Sequence, residues 1–122
     1  MLERFEARGA RGEAHRAIVA GLWAALALLE GDRAAAVSGF RDAWTQMRDL
    51  GIDLALAMSH LDCLAVAPPG DPLADEAARD ARPILERTGA VAYLRQLDAL
   101  EAERGTAASA PQTAPETSGV AV

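Results

Sequence analysis

His60 and Cys63 stand three residues apart in "SHLDC", on one face of any helix that holds them, with Asp53 two turns earlier. Imidazole, thiolate and carboxylate are all zinc ligands, but a zinc site wants four and His15 is the only other histidine. The set is half a site at most, and it reads as a partly buried cysteine beside a surface histidine. Ser38 and Ser59 have no histidine within a nucleophile motif, so hydrolysis is not indicated. The mixture of Arg and Asp from Asp75 to Arg87 could hold an anion, yet opposite charges interleaved at helical spacing more commonly make a solvated face. A terminal "VAV" has the form of a docking signal and reads as the end of a loose tail. No catalytic residue, cofactor or metal ligand set is expected, and the chain is not read as an enzyme.

Composition narrows the remaining classes. A chain of 122 residues forms one domain with a modest core. Its hydrophobic share is 51%, but only five residues are aromatic, so Ala, Leu and Val must build that core, which favours closely packed helices. All twelve basic residues are Arg, and eighteen acids leave a net charge of −6, a balance that repels phosphate backbones and speaks against nucleic acid. The one cysteine fits a reducing cytoplasm.

The longest apolar run is "AIVAGLWAALALL", thirteen residues between Arg16 and Glu30. A spanning helix needs about twenty, so this run predicts a core helix and no membrane. Glu3, Arg4, Glu6 and Arg8 occupy the place of a signal peptide's apolar region, and a cytoplasmic location is expected.

Around that run the chain reads as helices with short punctuation. Residues 1–12 form a short helical or irregular segment, residues 13–104 a helical domain, and residues 105–122 a disordered tail of Ser, Thr, Pro and Ala without periodicity. The first strong helix covers 13–30 and stops at Gly31, and Asp32 caps a second through Leu50. In that second helix Ala36, Val37, Phe40, Ala43, Trp44, Met47 and Leu50 share one face, with Arg41, Asp42, Gln46 and Asp49 opposite. Gly51 ends it, and Asp53 is expected to cap a third helix to about Ala67. After "PPGDP", Asp71 caps a fourth helix with Pro72 at its first position, Pro83 predicts a kink in it, and Gly89 closes it. A last helix, about Val91 to Glu103, carries Tyr93, Leu94, Leu97 and Leu100 along one stripe, as a lid would.

The stretch "GDRAAAVSGFRDAW" resembles the second helix of a tetratricopeptide repeat, in which a small residue is followed by an aromatic four places on and another small residue three places further. Here these are Ala36, Phe40 and Ala43, and Trp23 with Ala24 matches the large–small pair of the first helix. Ala20 and Ala27 stand where that pattern has large aromatics. Residues 53–89 resemble a second, degenerate copy through Ala81, Leu85 and Thr88. More broadly, residues 14–103, with "GDRAAAVSGFRDAWTQMRDLGIDLALAMSHLDCLAV" and "EAARDARPILERTGAVAYLRQLDAL", resemble the C-terminal repeat segment of bacterial signalling ATPase, nucleotide cyclase and LuxR-type transcription regulator proteins. The resemblance implies an all-α array of antiparallel hairpins, a short α-solenoid with a C-terminal capping helix, serving as a sensor or scaffold arm or a fragment of one. The phosphate-binding glycine loop and the metal-binding acids of the cyclase have no counterpart in this chain.

A helix apolar all round must be covered on more than one side. The second and third helices can cover two flanks of the first, but only "MLERFEARGARG" is left for the flank holding Ile18, Leu22, Ala25 and Leu29. Those four residues are the expected protein-interaction face, for a partner or for self-association as an oligomer. The expected function is therefore protein–protein interaction in a signalling or regulatory assembly. The competing reading is a small helical bundle binding an apolar ligand or a metal ion near Trp23, Trp44 and Cys63.

Overall fold

A computed structural model of the protein describes residues 2–105, with side chains described from Gly12 onward. It is all-α: five helices and no strand occur among the described residues. They are α1 (Leu2–Leu29), α2 (Arg33–Leu50), α3 (Asp53–Val66), α4 (Pro72–Thr88) and α5, residues 91–105. The tail expected from 105 onward falls outside the described residues except for Gly105, which is still helical.

The punctuation works largely as the residue types dictate. Asp32 accepts a hydrogen bond from the Ala35 amide at 3.2 Å, and Asp71 accepts one from the Leu73 amide at 3.0 Å, each satisfying a donor that the first helical turn leaves single. Gly51 and Gly89 close α2 and α4 in the left-handed region, at φ of 72° and 69°. Asp53 departs from expectation. Ile52 is the cap position of α3, while Asp53 is already helical and pairs with Arg87 at 3.0 Å. Its carboxylate sits in the first turn, where the helix dipole favours negative charge without a capping bond.

α1 is the larger surprise, because it is one helix of 28 residues that absorbs the segment 1–12 from Leu2 onward. Gly9 and Gly12 each cost about 1 kcal/mol against Ala in a helix, but their Glu, Arg and Ala neighbours are good helix formers and carry the turn through. α4 likewise runs continuously through Pro83, which is exposed.

α1 packs chiefly on α2, and α3 chiefly on α4, while α3 also touches both α1 and α2. The core follows the small residues. Ala17, Ala24 and Leu28 of α1 meet Ala36, Phe40, Ala43, Trp44 and Met47 of α2, all buried. Gly39 lies so close to α1 that an added Cβ would stand 3.0 Å from the Ala24 methyl. Leu97 of α5 is fully buried, with Tyr93, Leu94 and Leu100 packed around it, which is the expected lid stripe.

Candidate interaction face

Successive α1 residues turn by about 100°, so the buried stripe Ala17, Gly21, Ala24 and Leu28 fixes what lies on the far side. There stand Ile18, Leu22, Trp23, Leu26 and Leu29, between 41% and 66% exposed. They are five of the eight large apolar side chains that the described residues expose, the others being Leu54, Met58 and Val91. The apolar surplus is thus concentrated on one helix.

Three of the four residues expected on this face, Ile18, Leu22 and Leu29, are on it. Ala25 is half-buried and packs against the core, because it is turned toward the covered side. Trp23 and Leu26 belong to the face and were not assigned to it by sequence. The repeat resemblance makes Trp23 and Ala24 the large–small pair of the first helix, yet Trp23 stands about 100° away from Ala24, which alone of the two is buried. The signal for Leu26 is the spacing Val19, Leu22, Leu26 and Leu29, which continues the apolar row on the side away from α2 and α3, and Trp23 stands at the edge of that row. Nor can residues 2–12 fold back over the face, since they extend the same helix.

Helix length also corrects the argument against lipid. Gly12–Leu29 is an 18-residue stretch of α1 long and apolar enough to cross a membrane by length and composition. The thirteen-residue limit counted only the uncharged run, whereas the helix continues beyond Arg16. Glu13 and Arg16 lie within that stretch, and ionisable groups are costly in hydrocarbon.

Beneath α1 the elements converge on a small polar cluster. Gly21 leaves room for Ser59: a Cβ at position 21 would stand 2.9 Å from the Ser59 Oγ. That hydroxyl accepts a hydrogen bond from the Trp44 Nε1–H at 3.0 Å. His60 meets Trp44 edge-on, with ring centroids 4.5 Å apart. It is fully buried rather than at the surface, and neither of its ring nitrogens has a hydrogen-bond partner. Burial pushes its pKa down to about 4, Arg48 adding to the effect and Asp80 opposing it. Burial likewise pushes the Cys63 thiol up to about 12, which makes it an inert core sulfur. Asp53 is engaged with Arg87 at the surface, so it does not complete a site with them. Among the described residues no group of three or more His, Cys, Asp or Glu side chains is placed to hold a metal. Nor do Trp23, Trp44 and Cys63 line a common pocket, since Trp23 faces solvent while the other two are in the core.

Three of the charges between Asp75 and Arg87 reach across to other helices. Arg82 reaches Asp98 and Glu101 of α5, both at 2.8 Å, Glu76 receives Arg41 of α2 at 3.3 Å, and Arg87 holds Asp53 of α3. Arg33 forks onto Asp71 at 2.7 and 3.1 Å, and this pairing holds the Asp71 carboxyl below its usual range. Arg104 of α5 donates to the carbonyls of Ala67 and Pro68, both at 2.9 Å, where α3 ends. Opposite charges spread over different helices cross-link them.

No family model, no curated protein and no solved structure matches the chain.

Proposed function

We propose that this protein is a non-enzymatic interaction module: a short, tetratricopeptide-like array of two helical hairpins and a capping helix that binds protein through the outer face of α1. The observation that carries the reading is the exposed row Ile18, Leu22, Leu26 and Leu29 with Trp23, on a helix whose own N-terminal extension cannot cover it. Contiguous apolar surface of this kind marks an association site. The array is supported by the pairing of α1 with α2 and of α3 with α4, and by Phe40 buried between Ala36 and Ala43, which let α1 and α2 approach. Ala81 and Leu85 are buried at the equivalent places of α4, while Thr88 has turned outward and donates to the Ile84 carbonyl at 2.8 Å. A scaffold or sensor arm of a cytoplasmic signalling assembly is the setting we infer from the sequence resemblance.

Leu22→Glu tests the reading. A charge placed in a buried interface costs several kcal/mol and on open surface little. Sedimentation should find the wild type assembled at micromolar concentration and the variant monomeric with unchanged helical circular dichroism. A wild type that stays monomeric at several hundred micromolar, or a variant that unfolds, refutes it.

A further inference from the structure

The outer face of α1 carries a pattern that goes beyond an apolar patch. His15, Val19, Leu22, Leu26 and Leu29 follow one another at steps of four, three, four and three, the seam spacing of helices that pack side by side. Along one edge of that seam Arg16, Trp23 and Glu30 are each seven residues apart, so they form a single flanking row. All three are exposed, and neither Arg16 nor Glu30 is in an ion pair among the described residues. Glu30 keeps the helical register, since its amide still donates to the Leu26 carbonyl at 3.0 Å.

We infer that the occupant of this face is a second copy of the chain, with the two α1 helices packed antiparallel about a two-fold axis close to Trp23. The inference rests on the proposed reading of this face as an association site, and adds the partner and its orientation. In an antiparallel pair each flanking row faces its own counterpart, so a row that is self-complementary when reversed selects that arrangement. This row is cationic at one end, aromatic in the middle and anionic at the other. Reversed on itself it sets Arg16 against the second copy's Glu30, twice per dimer, and brings the two Trp23 rings together at the axis. The same register puts Leu22 opposite the second copy's Leu26, and Val19 opposite its Leu29, so apolar layers and charge pairs agree on one alignment. A parallel pair would face this row with the other flank, where Ile18 and Ala25 offer no charge to meet it. Antiparallel helix dipoles favour the same choice.

Charge reversal in the full chain tests the pairing, read by sedimentation equilibrium. Arg16→Glu and Glu30→Arg should each weaken self-association roughly ten- to thirty-fold, because each reversal turns two attractive contacts repulsive. Glu30→Arg is the more telling, since it reduces the net charge from −6 toward zero and would strengthen association if overall repulsion alone governed it. Mixing the two variants should restore association to within about threefold of the wild type, because each supplies the charges the other lacks. The double variant should recover equally. If the wild type assembles and Leu22→Glu disrupts it, but the reversals have no effect or the mixture fails to recover, antiparallel pairing is wrong and the association face stands. A wild type that is monomeric, or that floats with phosphatidylcholine vesicles in preference to pairing, overturns both.

Discussion

Replacing His60 with leucine should make the protein more stable and remove most of its acid sensitivity between pH 6.5 and about 4. The imidazole is fully buried, and neither Nδ1 nor Nε2 finds a partner. A buried polar group left unsatisfied costs about 1–3 kcal/mol, while the edge-on contact with Trp44 returns about 0.5–1.5 kcal/mol. Leucine is of similar size, keeps the apolar contacts and has nothing to satisfy, so a gain of about 1 kcal/mol or more is expected at pH 7. The pH dependence has a definite sign. With a folded-state pKa of about 4 against 6.5 when unfolded, the unfolded chain binds the extra proton throughout that window. The neutral imidazole therefore contributes full stability above pH 6.5 and loses it as the pH falls, by roughly 3 kcal/mol at pH 4. Urea unfolding at intervals from pH 7.5 to 4 would measure this, because the difference between wild type and His60→Leu cancels the carboxylates common to both. A variant about 2 kcal/mol less stable at pH 7, or a difference that does not change with pH, would mean that the ring nitrogens are satisfied and the reasoning fails.

Three further substitutions probe the packing. Phe40→Ala should cost about 3–5 kcal/mol in denaturant unfolding, because it empties the space between helices held close by Ala36 and Ala43. Gly21→Ala should destabilise by about 1–2 kcal/mol despite alanine's better helix propensity, since its Cβ would stand 2.9 Å from the Ser59 Oγ, and measured against a Ser59→Ala background, which itself leaves the Trp44 Nε1–H unpaired, the same change should cost much less. Asp71→Ala should cost about 1–3 kcal/mol through loss of the Leu73 cap and the Arg33 fork. Because the Asp71 pKa is lowered on folding, that contribution is full above its ordinary 3.8 and disappears as pH falls through the lower folded value, which acid titration of wild type and variant would reveal.

The helices were legible because their signals are local. Asp32, Asp71, Gly51 and Gly89 mark ends by their own chemistry, and the face of α2 is written in three- and four-residue steps. What sequence hid depends on which side a neighbour approaches. α1 is apolar around nearly its whole circumference, so periodicity could not tell Ala25, turned toward the core, from Leu26, turned away. His60 was hidden for a related reason. Its type suggests a surface position, and only the convergence of α2 and α3 at Trp44 shows the ring enclosed. The charges of α4 resembled a solvated face because their partners lie on other helices, at separations of 16 to 35 residues that a local pattern does not reveal.

The two ends of the proposed array differ in kind, and that difference bears on how association stops. α5 exposes Arg95, Gln96, Asp98, Glu101 and Glu103, two of these acids tied to Arg82, and among the described residues its one exposed large apolar side chain is Val91. The outward side of α1 is apolar. Head-to-tail growth would press the leucines of α1 against that charged surface, stripping water from carboxylates and guanidinium groups with nothing to replace it. Two α1 faces meeting each other bury leucine against leucine and leave both polar ends in water. Such a pairing uses the same surface on both copies, so it closes at two and presents no further apolar face of this size. Sedimentation velocity should then show monomer and dimer in exchange, with no species growing beyond the dimer as concentration rises. A series of larger assemblies would mean that α1 meets a surface other than its own copy.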